Sequence, residues 1–431
     1  LDHPIYPARP APHRSEIVLE GIIVLELSQV FAGPLAARLL AEMGATVIKV
    51  ERPPTGDVSR QQLWRVNSRS GYFVQQNRGK YGVSLDLRSA EGTELLWRLV
   101  ERADVLLDGF SPGVLAKFGF TYETMSARNP RIIVCELSAL GRTGELGSVR
   151  GYDQVGACYS GVAYTSSDGA GGPSIMPSVA LGDSAMGLSA YAGILSALYA
   201  ARDTGRGQLV EVSLVDAYIQ SHSSNLEAYS LSGGRINARP VNGQNAYICP
   251  AGVFKTADDR ELYIVAMGNH EWVRLATCIG RPELGTDPRY DSNENRIAHR
   301  DEVLELLNDW LAGFPSRDAA VEVLRSAGVV SAPVLDIGEV IDNPHLRARG
   351  TVEMIRDDLL GEFAVPGPPF RLSRSGRTTL GPAPGLGEHN RQVFADIAGL
   401  SDEEMARFVM AGAMGAASTS AVPAAGEVSA P

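Results

Sequence analysis

The chain has 431 residues, more than one domain usually holds, so two structural units are expected. Hydrophobic residues make up 44% and charged residues 21%, the balance of a globular protein with a large buried core. With 39 basic and 50 acidic residues the formal net charge is -11, which argues against a nucleic-acid partner but leaves room for an anionic ligand held by a few placed arginines.

The proline-rich start, LDHPIYPARPAPHRSE, reads as a flexible arm over 1–16 without the apolar core of a signal peptide. Residues 22–27 form a short apolar strand, Gly33-Pro34 marks a turn, and LAARLLAEMG continues as a helix that Gly44 is placed to end. TVIKVE follows as a second strand, which completes a βαβ unit and implies a parallel sheet. The alternation repeats through GVSLDL, SAEGTELLWRLVERA, DVLLDGF and RIIVCELS, then a small-residue helix after Asp183 and a strand over 209–216. A large doubly wound α/β domain is therefore expected over 17–218 and a linker over 219–246. A smaller α+β domain is expected over 247–336, opening with a hairpin turned at TADDR. A return segment over 337–411 holds the capping pair Ser401 and Glu404, and 412–431 reads as a disordered tail. No apolar run approaches the ~20 residues that span a bilayer, so the expectation is a cytoplasmic protein without a membrane partner.

Four dispersed cysteines, Cys135, Cys158, Cys249 and Cys278, suit buried free thiols, and neither they nor the seven histidines show metal-ligand spacing. The first βα turn reads SQVFAGP, without the glycine fingerprint of a dinucleotide site, so an NAD(P)-dependent oxidoreductase is not expected. At the end of the second strand, Glu51 suits a ribose hydroxyl and Arg52 a ribose phosphate, as in a phosphorylated adenosine; a solvated charge pair is the plainer alternative. Asp183, in SVALGDSAMG, has two readings: a helix N-cap, or a carboxylate nucleophile that Gly182 and Gly187 leave open to a bulky acyl group.

Taken in order, GIIVLELSQVFAGPLAARLLAEMGATVIKVERP, GDVSR, NRGKYGVSLDL, DVLLDGFSPGVLAKFGF, GYDQVGACYSG, ALGDSAMG, ILSALYAARDTGRGQLVEVSLVDA and GEHN run across residues 19 to about 400. This series resembles the class III CoA-transferases, the group of formyl-CoA, carnitine and bile-acid CoA-transferases. The resemblance implies a Rossmann-like large domain and a small domain in each of two interlocked rings, a homodimer. It also implies an acyl-CoA donor and a carboxylic acid acceptor, with the coenzyme A thioester a substrate and no cofactor tightly bound. Asp183 takes the place of the family's aspartate, which carries the acyl group as an anhydride and then CoA as a thioester. Contacts to CoA would fall on Val30, Ala32 and Arg52, with Leu85 near the adenine and Lys117 in the place of a phosphate-binding arginine.

Phe31, Gly109 and Leu140 stand where formyl-CoA transferase has glutamine, asparagine and tyrosine, and together they imply a larger or less polar acyl group. Two alternatives share the resemblance. An α-methylacyl-CoA racemase would need a histidine where Tyr152 stands in Gly151-Tyr152-Asp153, and a non-catalytic CoA-binding subunit would not need Asp183.

Overall fold

The computed structural model describes residues 17–62, 64–166, 173–237, 239 and 243–415, so most of the expected arm and tail lies outside the described residues. Two compact units divide the chain. The first comprises Leu1–Tyr159, Val179–Gln220 and Arg347–Pro431, and the second Ser160–Ser178 and Ser221–Leu346. Residues 160–166 and 173–178, read from the sequence as part of the large domain, fall in the second unit.

The first unit is built on six parallel strands: β1 (Ile23–Leu27), β2 (Thr46–Glu51), β3 (Tyr81–Ser84), β4 (Val105–Asp108), β5 (Ile133–Ser138) and β6 (Leu209–Ser213). Their spatial order is β3-β2-β1-β4-β5-β6, the order of an α/β sheet wound outward in both directions from its centre. Successive side chains of a strand point to opposite faces. Val24, Val47 and Val105 therefore enter the layer with helices α1 (Ala32–Glu42) and α4 (Leu181–Thr204). Leu25, Leu27, Ile48 and Leu106 enter the opposite layer, with α2 (Ala90–Val100) and the late helices Asn390–Asp396 and Asp402–Met410.

Every residue of α1 is buried, and its leucines each contribute roughly 1.5–3 kcal/mol through burial. Gly44 (φ +96°) ends the turn after α1 as expected, donating to Ala41 O. The α1–α4 crossing is close because Gly187 has no side chain; a Cβ there would lie 2.8 Å from Ala32 O. By length and composition α4 would suffice to cross a membrane, contrary to the reading of the sequence. It carries Asp183 in its first turn and Arg202 in its last, and packs on α1 and the sheet.

Two further expectations change. The strand read over 209–216 stops at Ser213, whose hydroxyl accepts from Asp216 N–H (3.1 Å) and caps α5 (Leu214–Ile219). Residues 412–415 are not tail-like: Met414 bridges to Leu85, and Ala413 and Met414 are buried in the sheet's second layer.

In the second unit, β7 (Ala251–Lys255) and β8 (Glu261–Val265) form the expected hairpin, and β9 (Val330–Pro333) adds antiparallel to β8. Helices α6 (Asn269–Cys278), α7 (Arg300–Ala312) and α8 (Arg317–Ser326) cover it around a separate core that includes Trp272, Leu307 and Leu324. All four cysteines are free, but only Cys135 and Cys249 are buried, and Cys158 is exposed.

Candidate active site

Chain connections leave the centre of the first unit's sheet in opposite directions, β1 to β2 on one side and β4 to β5 on the other. The loops after β1 and β4 must therefore part, and a crevice opens at the carboxyl ends of these strands. A cleft of about 470 Å³ lies there. Its walls are Ser28 to Gly33 after β1, Gly109 to Pro112 after β4, and Leu137 to Ala139 at the end of β5. Val149 to Tyr152 and, from α4 and α5, Asp183, Met186 and Leu214 close the remaining sides.

Buried charge shapes both strand-end turns. After β4, Asp108 accepts from Phe110 N–H (2.8 Å) and meets Arg142 Nη2 at 3.2 Å; burial pushes its carboxyl up to about 6. After β1, Val30 adopts φ +71°, a region that β-branched residues rarely enter. Its N–H donates to Asp57 Oδ1 at 3.2 Å.

Asp183 sits in the first turn of α4, but it is not the cap; Ala180 occupies that position, and no cap hydrogen bond is made by its side chain. The Asp183 carboxylate is half-buried and has no hydrogen bond or ion pair among the described residues. Its main-chain N–H donates to Asp153 Oδ1 (2.7 Å), while Asp153 Oδ2 accepts from the Tyr218 hydroxyl (2.8 Å). Asp153 and Tyr218 are both buried. Gly182 faces this pair, not the cleft: a Cβ there would collide with the Tyr218 ring and lie 2.7 Å from Asp153 Oδ1. Gly182 and Gly187 are thus small for packing, and the space read from them as room for an acyl group is filled by protein.

Burial first, and the neighbouring Asp153 carboxylate second, push the Asp183 carboxyl up to about 7. The favourable field at a helix amino terminus does not outweigh these two effects. Among the charged side chains lining the cleft, Arg150 is exposed and makes no hydrogen bond or ion pair among the described residues. Tyr72, on the short helix Gly71–Asn77, stacks obliquely on Phe31 with ring centroids 6.1 Å apart. Its hydroxyl is held protonated by burial, then by the Asp183 and Asp57 carboxylates.

Of the residues expected at the site, Val30, Ala32 and Asp183 line one cleft, together with Phe31 and Gly109. Arg52, Leu85 and Lys117 do not line it. Arg52 is exposed just past β2, and Lys117 is exposed in the turn Ala116–Phe118 beyond β4. Leu85 is buried in the second layer of the core, and Leu140 packs against the first. The ribose-hydroxyl reading of Glu51 is overturned. Glu51 is buried and bound by Arg60 at 2.6 and 2.8 Å, and its Oε2 also accepts from Asp57 N–H. The reading of the sequence assigned no role to Asp153, Arg150, Tyr218 or Asp57. Only the adjacency of Tyr152 and Asp153 in GYD and the GDVSR element hinted at two of them.

Residues 19–390 match CoA-transferase family III. A succinyl-CoA–D-citramalate CoA-transferase of Chloroflexus aurantiacus is 32% identical over 394 residues, 90% of this chain and 96% of the relative. An acetyl-CoA:oxalate CoA-transferase of Acetobacter aceti is 33% identical over 362 residues, 84% and 91% of the two chains. The crystal structure of a CAIB/BAIF family protein from Brucella suis superposes with a TM-score of 0.76 at 29% identity, covering 88% of this chain and 98% of that one.

Proposed function

The chain belongs to CoA-transferase family III, and we propose that Asp183 is the nucleophile with which it moves coenzyme A from an acyl-CoA to a carboxylic acid. The observation that carries this reading is a half-buried carboxylate with no hydrogen bond or ion pair among the described residues, set in the cleft where an α/β sheet of this winding binds ligands. A carboxyl pushed up to about 7 is a stronger nucleophile than a solvated one and is still substantially ionised at neutral pH.

The steps balance without an outside energy source. An Asp183 carboxylate oxygen attacks the thioester carbonyl; the C–S bond breaks and CoA thiolate leaves an acyl-aspartyl anhydride. The thiolate then attacks the aspartyl carbonyl, forming an aspartyl-CoA thioester and releasing the donor acid. The acceptor carboxylate displaces CoA from that thioester, giving a second anhydride. Thiolate attack on the acceptor's acyl carbon forms the new acyl-CoA and restores the Asp183 carboxylate.

Val30 and Ala32 would contact CoA in the cleft, Arg52 and Lys117 would meet its phosphates from the exposed turns outside, and Leu85 would lie near the adenine. Phe31, Met186 and Leu214 make the wall beside Asp183 largely apolar, which favours an acyl group larger or less polar than oxalyl or formyl. An interlocked homodimer acting in the cytoplasm completes the reading.

The test is direct. Purified protein is given succinyl-, acetyl- and longer acyl-CoA donors with a panel of carboxylic acids, and CoA exchange is followed by mass spectrometry. Hydroxylamine added with donor should convert Asp183 to its hydroxamate. An adduct on another residue, or full exchange in Asp183→Ala, would remove Asp183 from the role.

A further inference from the structure

Beneath the cleft lies a group of buried charges that the transfer chemistry does not use. Glu26 and Lys49 are paired residues of adjacent strands, on the face covered by α1. Lys80 and Asp57 complete the group, and all four side chains are fully buried. Lys49 Nζ lies 3.1 Å from Glu26 Oε1 and 2.9 Å from Asp57 Oδ2. Lys80 Nζ lies 2.7 Å from Glu26 Oε2 and 2.8 Å from Asn77 Oδ1. Two basic and two acidic side chains balance, which is the condition for keeping such groups out of water, and burial pushes Lys80 down to about 7.

Three members of this quartet also reach main chain, in the turn that joins β1 to α1 or in the first turn of α1. Lys49 donates to Ser28 O at 2.9 Å, Asp57 accepts from Val30 N–H at 3.2 Å, and Lys80 donates to Pro34 O at 3.0 Å. Ser28 Oγ adds a bond to Glu26 Oε1 at 2.8 Å, and Ser59 fixes Asp57 through its N–H (2.9 Å) and hydroxyl (2.7 Å). The middle attachment falls on Val30, at φ +71°. A β-branched residue leaves that conformation unless its surroundings hold it there.

We propose that Asp57, Lys49, Glu26 and Lys80 form a positioning device that clamps the turn after β1 and the first turn of α1 from below and holds Val30 in its left-handed conformation, setting the wall of the cleft that faces Asp183. The inference rests on the cleft being the CoA-transfer site, but the clamp itself is a property of the turn and can be measured without turnover. A core that merely tolerated these charges would not attach them to two points of the cleft-lining turn, Ser28 and Val30, and to a third at Pro34 in the first turn of α1.

The experiment is a double-mutant cycle over wild type, Asp57→Ala, Val30→Gly and the double variant. Amide hydrogen exchange by mass spectrometry follows the peptide covering 28–33, and steady-state CoA exchange gives kcat/KM for acyl-CoA. Asp57→Ala is expected to speed exchange at 28–33 about tenfold while β4 and β5 amides stay unchanged, and to lower kcat/KM about tenfold. Glycine takes φ +71° without strain. In the V30G background the same Asp57→Ala change should therefore lower kcat/KM no more than about threefold. Equal losses in the two backgrounds, or unchanged exchange at 28–33, overturn the proposal. If none of the four proteins transfers CoA, the proposed function fails and hydrogen exchange alone decides the clamp. Should Asp57→Ala not fold, Asp57→Asn replaces it: without the charge that engages Lys49 it should produce the same selective rise, and no rise overturns the proposal.

Discussion

Replacing Asp183 by asparagine should make the protein more stable at alkaline pH while abolishing transfer. The carboxyl titrates near 3.8 in an unfolded chain and near 7 in the fold, because burial and the Asp153 charge disfavour its ionised form. The sign follows from this order. Below about pH 4 the group is neutral in both states and the fold is unpenalised. As pH rises toward about 7 the unfolded chain gains from ionising and the fold does not, so stability falls, and above about pH 7 the loss is complete. At ~1.4 kcal/mol for each pH interval of one, the full loss is at most about 4 kcal/mol. Partial exposure of the carboxylate lowers this, and a gain of roughly 1–4 kcal/mol for Asp183→Asn at about pH 8 is expected. Urea unfolding of both proteins between about pH 4 and pH 8 measures it, with other titrating groups such as Asp108 cancelling in the difference. CoA exchange by the same variant should fall at least about 10³-fold, with intact mass excluding deamidation back to aspartate. A stability difference that is flat with pH, or a wild type more stable at pH 8, would refute the desolvated carboxylate.

If Arg52 meets the ribose phosphate as proposed, Arg52→Ala should raise KM for acyl-CoA about tenfold while sparing the dephospho-CoA thioester; equal effects on both donors reject that role. Gly182→Ala drives a methyl into the Tyr218 ring and Asp153, an overpacking that costs about 1–3 kcal/mol in thermal unfolding and loosens the Asp153–Asp183 contact. An unchanged melting temperature with full activity would show that the contact carries nothing. Arg150→Ala should leave stability within about 0.5 kcal/mol, because the side chain is exposed and makes no hydrogen bond or ion pair among the described residues. Its KM for acyl-CoA should rise about tenfold and be largely restored in Arg150→Lys; an unchanged KM argues against any anion at this cation.

Much of the first unit was legible in the residues themselves. TVIKVE and, within RIIVCELS, Ile133–Ser138 form the strands expected of them, Gly44 closes the turn after α1, and Ser401 with Glu404 forms its capping box. These signals are local, within one turn or one strand. The strand over 209–216 was overextended because a serine that caps a helix looks, in sequence, like one more polar position in a strand. Glu51 and Gly182 were misread for a related reason: each has its partner elsewhere, Arg60 nine residues on for one and Tyr218 for the other. Nothing in a short window distinguishes a carboxylate awaiting a ligand from one already bound.

Sequence alone determined the alternation of strand and helix and the family resemblance, from which Asp183, Val30 and Ala32 were put forward as candidates, because hydrophobic period and ordered motifs are written in neighbouring residues. Tertiary structure decided that the loops after β1, β4 and β5 meet α4 at one cleft, and that Asp153 holds the Asp183 main chain. It decided as well that the side chains of Lys49 and Lys80 lie fully buried. The reason is physical: a charge's energy depends on its distance from water and from other charges, and both are properties of the folded chain.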